Sequence, residues 1–255
     1  MDFTEFLVKI KEIEKGGYVK SHRTGDTGIG KTLEDLLGLV ENNIAGPDFS
    51  VYELKSGRKD SSSMLTLFTK VPMPSGANRE LLRVFGYKQR DKSKKGTSQP
   101  LLPHYLGSPE IADPEVDIRE KELHVTVDSL KPNSVGLKLE IRGNTVYIAN
   151  EKGVKAYYEE NYLKNAFENK YKHRLVYVLA SNKKEERIEY FWYDEAHLLG
   201  GFSFENFADA IGKGIVKLDL RIGHYPDGRP HDHGTGFRVL PKNLPLCFAE
   251  IEKLL

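Results

Sequence analysis

Apolar residues recur at helical spacing in the first segment of the chain and alternate with polar residues in many later ones. Phe6, Leu7, Ile10 and Ile13 fall on one face of a helix predicted over residues 3–15, which ends at two glycines. Further helices are predicted near residues 31–37, 79–85, 154–170, 204–213 and 246–255. Two-residue alternation or short apolar runs predict strands over residues 49–56, 64–71, 123–127, 137–141, 145–149, 175–180, 188–193 and 216–222. The strands between residues 123 and 149 are typical of an antiparallel sheet.

Two carboxylates and an ammonium lie together on the strand predicted over residues 49–56. Glu53 and Lys55 project to the same side because side chains alternate along a strand, and Asp48 stands where the strand begins. The acids are hard oxygen ligands that could hold a divalent cation beside a scissile phosphate, and the lysine could orient a water. A surface hairpin with solvated charges is the alternative for this pattern on its own.

The flanking segments add two candidate residues to this strand. Glu34 lies on the helix predicted from about residue 31 and could bring a third carboxylate to the site, or could simply complement the helix dipole. The strand at residues 64–71 could pair with residues 49–56 as a hairpin. Lys70 would then lie near the site, where it either touches DNA or finishes the strand.

Residues Gly25 to Thr32 satisfy the spelling of a phosphate-binding loop, G-x4-G-K-T. Such a loop follows a buried strand, and the residues from Tyr18 to Thr24 contain no apolar run that could form one. The segment is therefore better interpreted as a glycine-rich entry to the following helix, with nucleotide hydrolysis as the less favoured alternative.

A second group of candidate residues follows the strand at residues 216–222. Arg221 and Arg238 flank a polar loop that contains His231, Asp232 and His233. Arginine binds guanine N7 and O6 through two hydrogen bonds, and Asp232 could accept one from a cytosine amino group, so the loop suits base recognition. Two alternatives stay open. One is a zinc site, which needs a third and a fourth ligand beside the two histidines and has His224 as the only nearby addition; the other is surface arginines flanking a turn.

Composition narrows the class of protein. The 255 residues include no apolar run long enough to span a membrane and no secretory signal, so we expect a cytoplasmic protein. The single cysteine, Cys247, excludes an internal disulfide and is expected to be buried among apolar neighbours. The net charge of +1 is unremarkable, but residues 88–95 carry five lysines and arginines, which form either a DNA-contacting arm or a solvated loop.

Several blocks in order resemble the MvaI and BcnI type restriction endonucleases, which are related to the MutH mismatch-repair nickase. The blocks are residues 28–37, 41–43, 47–55, 65–70, 219–223 and 231–238. They span most of the chain, whereas residues 91–207 match poorly.

The resemblance implies an α/β (α+β) chain with a PD-(D/E)XK fold, a mixed sheet flanked by helices, in two lobes around a DNA cleft. Residues 1–112 would form mainly the catalytic lobe and residues 113–255 mainly the DNA-recognition lobe. Four residues match catalytic positions of the family, namely Glu34, Asp48, Glu53 and Lys55, of which Asp48 and Glu53 would bind metal. The expected DNA-binding residues are Lys70 together with Asp219, Arg221, Tyr225, His231, Asp232, His233 and Arg238.

The activity implied is that of a type II restriction endonuclease that hydrolyses double-stranded DNA at a CCNGG-type site, one strand at a time. The MvaI-like residues 219–223 and Tyr225 favour A or T at the centre. Mg²⁺ is the expected cofactor, with Mn²⁺ able to substitute and Ca²⁺ binding without cleavage. We expect a monomer in a prokaryotic cytoplasm, with a DNA methyltransferase as genetic partner. A partner-guided repair nickase and a non-catalytic DNA-binding module are the alternatives.

Overall fold

The computed structural model describes residues 1–39, 48–88, 117, 119, 121–225 and 229–255. Its helices are α1 (Phe3–Gly16), α2 (Gly28–Leu37), α3 (Ala77–Phe85), α4 (Glu160–Lys170), α5 (Phe204–Gly212) and a 3-10 helix (Pro241–Cys247). Its strands are β1 (Val19–Lys20), β2 (Tyr52–Arg58), β3 (Leu65–Thr69), β4 (Tyr87–Lys88), β5 (Lys121–Val127), β6 (Lys138–Arg142), β7 (Thr145–Ala149), β8 (Tyr157–Glu159), β9 (Arg174–Glu185), β10 (Ile188–Phe202), β11 (Val216–His224), β12 (Pro230–Asp232), β13 (Gly236–Val239) and β14 (Phe248–Lys253). The chain is thus of the mixed α+β class, as expected.

The chain divides into two compact units, neither of which is one continuous segment. Unit 1 comprises Met1–Leu65, Phe167–Phe207 and Val239–Leu255, and unit 2 comprises Thr66–Ala166 and Ala208–Arg238. This division differs from the sequence-based boundary near residue 112, because long-range strand pairing brings residues 167–207 and 239–255 to the N-terminal segment. The catalytic and DNA-reading roles of the two parts stay predictions.

Unit 1 is built on a mixed sheet with the strand order β1-β10-β9-β2, in which β14 also pairs with β10. β2 lies parallel to β9, and the other pairs that the structure describes in this sheet are antiparallel. Helices α1 and α2 cover one face, because their apolar stripes pack on alternate residues of the strands. Phe6 and Ile10 of α1 and Leu33 of α2 are fully buried there against Val176 and Val178.

The register of β2 on β9 decides which way each β2 side chain points. Leu54 lies opposite Val176 and Ser56 opposite Val178, so these residues share the face covered by the two helices. Glu53 and Lys55 lie opposite Leu175 and Tyr177 and therefore project from the other face. Since β2 is at the end of the strand order, the outer edge of its backbone has no strand neighbour among the described residues.

Unit 2 contains two sheets. One has the order β3-β13-β11-β5-β4 with β12 on β11, and the other is the three-stranded meander β6-β7-β8. Strands β11 and β5 are antiparallel, with Asp219 opposite Thr126 and Arg221 opposite His124. The apolar residues of β11 alternate with these polar ones, and Leu218, Leu220 and Ile222 are buried.

Three sequence-based predictions of local structure are wrong. The C-terminal segment forms a 3-10 helix and the strand β14 in place of a helix, because pairing with β10 satisfies the backbone of residues 248–253. Residues 154–159 are not helical, since Tyr157 and Tyr158 extend the meander as β8. β2 and β3 do not form a hairpin, because β2 pairs with β9 whereas β3 pairs with β13.

Candidate functional site

Asp48 is held at the head of β2 by a tight turn. Phe49 and Tyr52 bridge across the turn, and Ser50 adopts a left-handed conformation with φ of 49°. The Asp48 Oδ2 atom then accepts a hydrogen bond of 2.6 Å from the backbone N–H of Leu54. Because the N–H and C=O of one strand residue point to the same side, the Leu54 carbonyl also faces the edge at which Asp48 lies.

Glu53 and Lys55 form an ion pair beside this turn. Lys55 Nζ lies 2.7 Å from Glu53 Oε1, and about a third of each side chain is exposed. Desolvation raises the pKa of the Asp48 carboxyl and the negative charge of Glu53 raises it further, whereas the Leu54 N–H and Lys55 act in the opposite direction. The two carboxylates and the ammonium of the sequence pattern are thus brought together, and the Leu54 carbonyl faces the same edge.

These donors suit a hard divalent cation such as Mg²⁺, which prefers oxygen ligands and keeps several waters. The electrostatic interaction between Asp48 and Glu53 is itself repulsive, and a bound cation would relieve it. No cluster of three or more histidine, cysteine, aspartate or glutamate side chains suited to a metal occurs in the part of the chain that the structure describes. The two carboxylates and the Leu54 carbonyl are the groups at the head of β2 that could hold such a cation.

Glu34 lies on α2, within unit 1. Glu34 Oε1 and Ser56 Oγ both lie next to Gly30. A side chain added at Gly30 would place its Cβ 4.0 Å from Glu34 Oε1 and 3.8 Å from Ser56 Oγ. Ser56 faces the helices, so Glu34 approaches β2 from the side opposite to Glu53 and Lys55. Its catalytic role stays a prediction.

Side chains of the segment from Gly25 to Thr32 make contacts that stabilise the start of α2. Lys31 Nζ pairs with Asp35 at 2.9 Å, and the buried Thr32 hydroxyl donates to the Gly28 carbonyl and accepts from the His22 N–H. A phosphate-binding loop needs the lysine and the hydroxyl for phosphate and metal. The structure therefore supports the interpretation as a helix entry over nucleotide binding.

In unit 2, Asp219 organises a charged network on β11. Its Oδ2 lies 2.8 Å from Arg238 Nε and 3.2 Å from Arg221, and its Oδ1 accepts a hydrogen bond of 2.6 Å from the Thr126 hydroxyl. The Arg238 side chain is 15% exposed and that of Arg221 is 46% exposed. Only Arg221 therefore presents a large part of its side chain at the surface of the unit.

Aromatic rings form a row next to this network. Tyr225 contacts His231 with ring centroids 4.0 Å apart, and His231 contacts His233 at 4.2 Å. His124 of β5 continues the row, 5.8 Å from His233 and edge-on to it. Three of the predicted DNA-binding residues are thus adjacent, and the row does not form a metal cluster among the described residues.

Both carboxylate oxygens of Asp232 accept hydrogen bonds from other residues of the protein. Its Oδ1 accepts hydrogen bonds from the backbone N–H groups of Gly234 and Thr235, and its Oδ2 accepts one from Asn78 of α3. A carboxylate with these partners fixes the turn that follows it.

Lys70 lies beside the same loop, since its backbone N–H donates to the Thr235 carbonyl. Its ammonium is 4.1 Å from the centre of the Tyr162 ring, a cation–π distance. The hairpin that was expected to bring Lys70 to Glu53 does not form. The basic run at residues 88–95 lies outside the described residues, apart from the backbone of Lys88.

A model of the MvaI/BcnI restriction endonuclease family matches residues 7–248, nearly the whole chain. The chain belongs to this family. Membership of the MvaI/BcnI family makes it a type II restriction endonuclease, as the sequence resemblance predicted.

Two solved structures of restriction endonuclease MvaI are similar to this MvaI/BcnI family member over its whole length. One is a complex with cognate DNA substrate, with 29% identity, a TM-score of 0.61 and complete coverage of both chains. The other was determined in the absence of DNA, with the same identity and TM-score and 99% of that chain covered. No curated protein sequence matches the chain. No helix in the described residues is long and apolar enough to cross a membrane.

Sequence reasoning missed several residues that contact the predicted site of this family member. Thr126 and His124 lie on β5, and Asn78 lies on α3. Thr126 and His124 stand at alternating positions of a predicted strand, and Asn78 immediately precedes a predicted helix. Nothing in these positions tells which strand or loop they will face.

Proposed function

We propose that this protein is a Mg²⁺-dependent PD-(D/E)XK endonuclease that cuts double-stranded DNA at a short pseudopalindromic site of CCNGG type, one strand at a time. A centre of A or T is the favoured version. The observation that carries the proposal is the turn that holds Asp48 on the Leu54 N–H beside the Glu53–Lys55 pair, at the edge of β2. The family membership supplies the DNA substrate class.

In the proposed mechanism, unit 1 contributes the chemistry. Asp48, Glu53 and the Leu54 carbonyl would hold the cation. When bound, Mg²⁺ polarises the scissile phosphate and lowers the pKa of a coordinated water. The Lys55 ammonium orients the attacking water and stabilises the negative charge that develops at phosphorus. Glu34 is proposed to support this group from α2.

Unit 2 is proposed to read the bases. Arg221 and Arg238 are suited to the N7 and O6 atoms of guanine, because a guanidinium matches that edge with two parallel hydrogen bonds. Tyr225, His231 and His233 form the adjacent ring surface, and Asp219 and Asp232 organise the arginines and the turn. Lys70 is proposed to contact DNA next to Thr235. The similar MvaI structure described with cognate DNA substrate supports this class of ligand.

The proposed enzyme works as a monomer in a prokaryotic cytoplasm, with a cognate DNA methyltransferase as its genetic partner. Mn²⁺ should replace Mg²⁺ in cleavage because it accepts similar oxygen ligands. Ca²⁺ should allow binding without cleavage. It is larger and takes more ligands in a looser geometry, which positions the water poorly.

The decisive experiment is digestion of a plasmid with the purified protein in Mg²⁺, followed by sequencing of the cut ends. Discrete ends within one recognition sequence are expected. We expect Asp48→Ala to lower the cleavage rate by at least about a hundredfold while retaining specific binding in Ca²⁺, because it removes charge stabilisation from the reacting centre. Asp60→Ala is the matched control, since Asp60 is an exposed aspartate just beyond β2.

Other outcomes would support other functions. Cleavage retained by Asp48→Ala in Mg²⁺ would contradict the site assignment. Nicking that requires an added partner would indicate a repair nickase of the MutH type. Sequence-specific binding in chelator, with no cutting in any divalent metal, would indicate a DNA-binding module.

A further inference from the structure

The strand β5 forms a second row of polar residues beside β11. In the antiparallel register, Thr126 lies directly opposite Asp219 and His124 directly opposite Arg221. Directly opposed residues project to the same face of a sheet. These four side chains line one open cavity of about 800 Å³ together with His233. The base-reading surface proposed above therefore has a neighbouring strand that contributes side chains of its own.

Thr126 and the two arginines contact different oxygens of the Asp219 carboxylate. The Thr126 hydroxyl donates to Oδ1 at 2.6 Å, whereas both arginines lie closest to Oδ2. Asp219 is buried, with 8% of its surface exposed, so its oxygens depend on protein partners more than on water. The threonine thereby fixes the rotation of the carboxylate, with Oδ2 toward the two guanidinium groups.

Sharing one oxygen keeps both arginines incompletely paired. Arg221 makes one contact with Oδ2, at 3.2 Å, through a single terminal nitrogen. Arg238 Nε is 2.8 Å from the same oxygen, but the alignment is too poor for a hydrogen bond. A guanidinium paired with both oxygens of a carboxylate is held in a fixed fork geometry. Arg221 is not held in this way, so its outward nitrogens stay available.

We propose that Thr126 is a positioning residue for base recognition: its hydrogen bond to Oδ1 fixes the rotation of the Asp219 carboxylate, so that Arg221 pairs with Oδ2 alone and keeps its guanidinium aimed at a guanine edge. This inference rests on the proposed function. Without the hydroxyl, the Asp219 carboxylate loses its Oδ1 donor and rotates to satisfy that oxygen with Arg221. The arginine then pairs with the protein in place of the base.

The test compares Thr126→Val with Thr126→Ser. Valine has nearly the same shape as threonine and is at least as favourable in a strand, so the fold should persist, which thermal unfolding would verify. The quantity measured is the ratio of single-turnover cleavage rates on the cognate duplex and on duplexes with one guanine replaced. We expect Thr126→Val to lower this ratio by about tenfold, the scale of one hydrogen bond to a charged group. Thr126→Ser, which restores the donor, should recover it to within about twofold.

Two further variants separate positioning from a general structural effect. Thr145→Val makes the same change on β7 of the same unit and should leave the ratio unaltered. In an Arg221→Ala background, Thr126→Val should cause no further loss of discrimination, because the two residues act through one contact.

The outcomes distinguish this inference from the function on which it rests. A wild-type protein that does not discriminate between the duplexes would overturn both. A discriminating wild type with an unchanged Thr126→Val variant would overturn only the role of Thr126. Equal loss in Thr126→Val and Thr126→Ser, or full additivity with Arg221→Ala, would also overturn it.

Discussion

Arg221 and Arg238 share one carboxylate oxygen but differ threefold in exposure, at 46% and 15% of the side chain. The exposed arginine can turn toward a ligand at little cost, whereas the buried one also fills space beside Asp219. At the scale of single residues, the two arginines therefore differ in how much each contributes to packing, in addition to the base recognition proposed for both.

We expect Arg221→Ala and Arg238→Ala each to cost roughly 1 to 3 kcal/mol of base discrimination, the value of a two-bond arginine–guanine contact. Arg238→Ala should in addition lower the free energy of unfolding, because it removes a mostly buried partner of Asp219. Competition binding with cognate and random duplexes in Ca²⁺ measures the first effect, and urea unfolding measures the second.

The exposed Arg142, which pairs with Glu140 on the β6–β7 hairpin, is the matched control for a lost positive charge. Its alanine variant should change neither quantity appreciably. Equal loss of cognate and random affinity in Arg221→Ala would contradict a base-reading role.

At the scale of elements, Arg58 ties together parts of unit 1 that are distant in sequence. It ends β2 and reaches past β9 to Glu189 of β10, with two hydrogen bonds of 2.8 Å. It also donates to the carbonyls of Gly25 and Asp26, just before α2. This one side chain thus fixes the C-terminal end of β2 to both the sheet and the helix entry.

We expect Arg58→Ala to lower the free energy of unfolding by about 2 kcal/mol at neutral pH, since it leaves a mostly buried carboxylate without its charged partner. Hydrogen bonding from Arg58 lowers the pKa of Glu189 below its ordinary value of 4.5, outweighing the desolvation that raises it. The pair's contribution is therefore present above this ordinary value and lost as the pH falls through the lowered one. Urea unfolding at several pH values measures both effects.

Arg174→Ala is the control in the same sheet. Its pair with Glu250 is open to solvent, with side chains 46% and 65% exposed, and such pairs contribute little. A destabilisation by Arg58→Ala that persists unchanged well below the ordinary pKa of Glu189 would mean that lost packing, and not the ion pair, is responsible.

At the scale of the whole molecule, the chain passes between its two units four times, within β3, α4, α5 and β13. Each unit is completed by segments from both halves of the sequence. Cutting the chain near residue 112 would therefore remove two segments of unit 1, residues 167–207 and 239–255.

The reactivity of the single cysteine can be used to measure how stably the segments of unit 1 are held together. Cys247 is fully buried in unit 1, and desolvation raises the pKa of its thiol to about 12. A thiol with so little thiolate and no access to reagent should not react in the native protein at mildly alkaline pH, and should react completely in concentrated urea. The labelling rate, followed with a chromogenic disulfide, then reports opening of unit 1.

Arg58→Ala should accelerate labelling in proportion to its effect on stability, whereas Arg174→Ala should not. Rapid labelling of the native wild-type protein would contradict the burial of Cys247.

The sequence by itself determined the local features of this protein. The first helix, the alternation that marks most strands, the burial of Cys247, and the grouping of Asp48, Glu53 and Lys55 all depend on residues within one short segment. The family could also be identified from the sequence, because its motifs occur in order along the chain.

Only the tertiary structure decided which segments meet. An apolar strand has no preference that identifies its neighbour, so the pairing of β2 with β9, of β14 with β10 and of β5 with β11 could not be predicted from local pattern. Because of these pairings, the C-terminal segment that was expected to be helical is a strand, and Thr126 lies opposite Asp219. Long-range packing free energy outweighs local propensity at such positions, and the partners of a site residue are known only once the strands are paired.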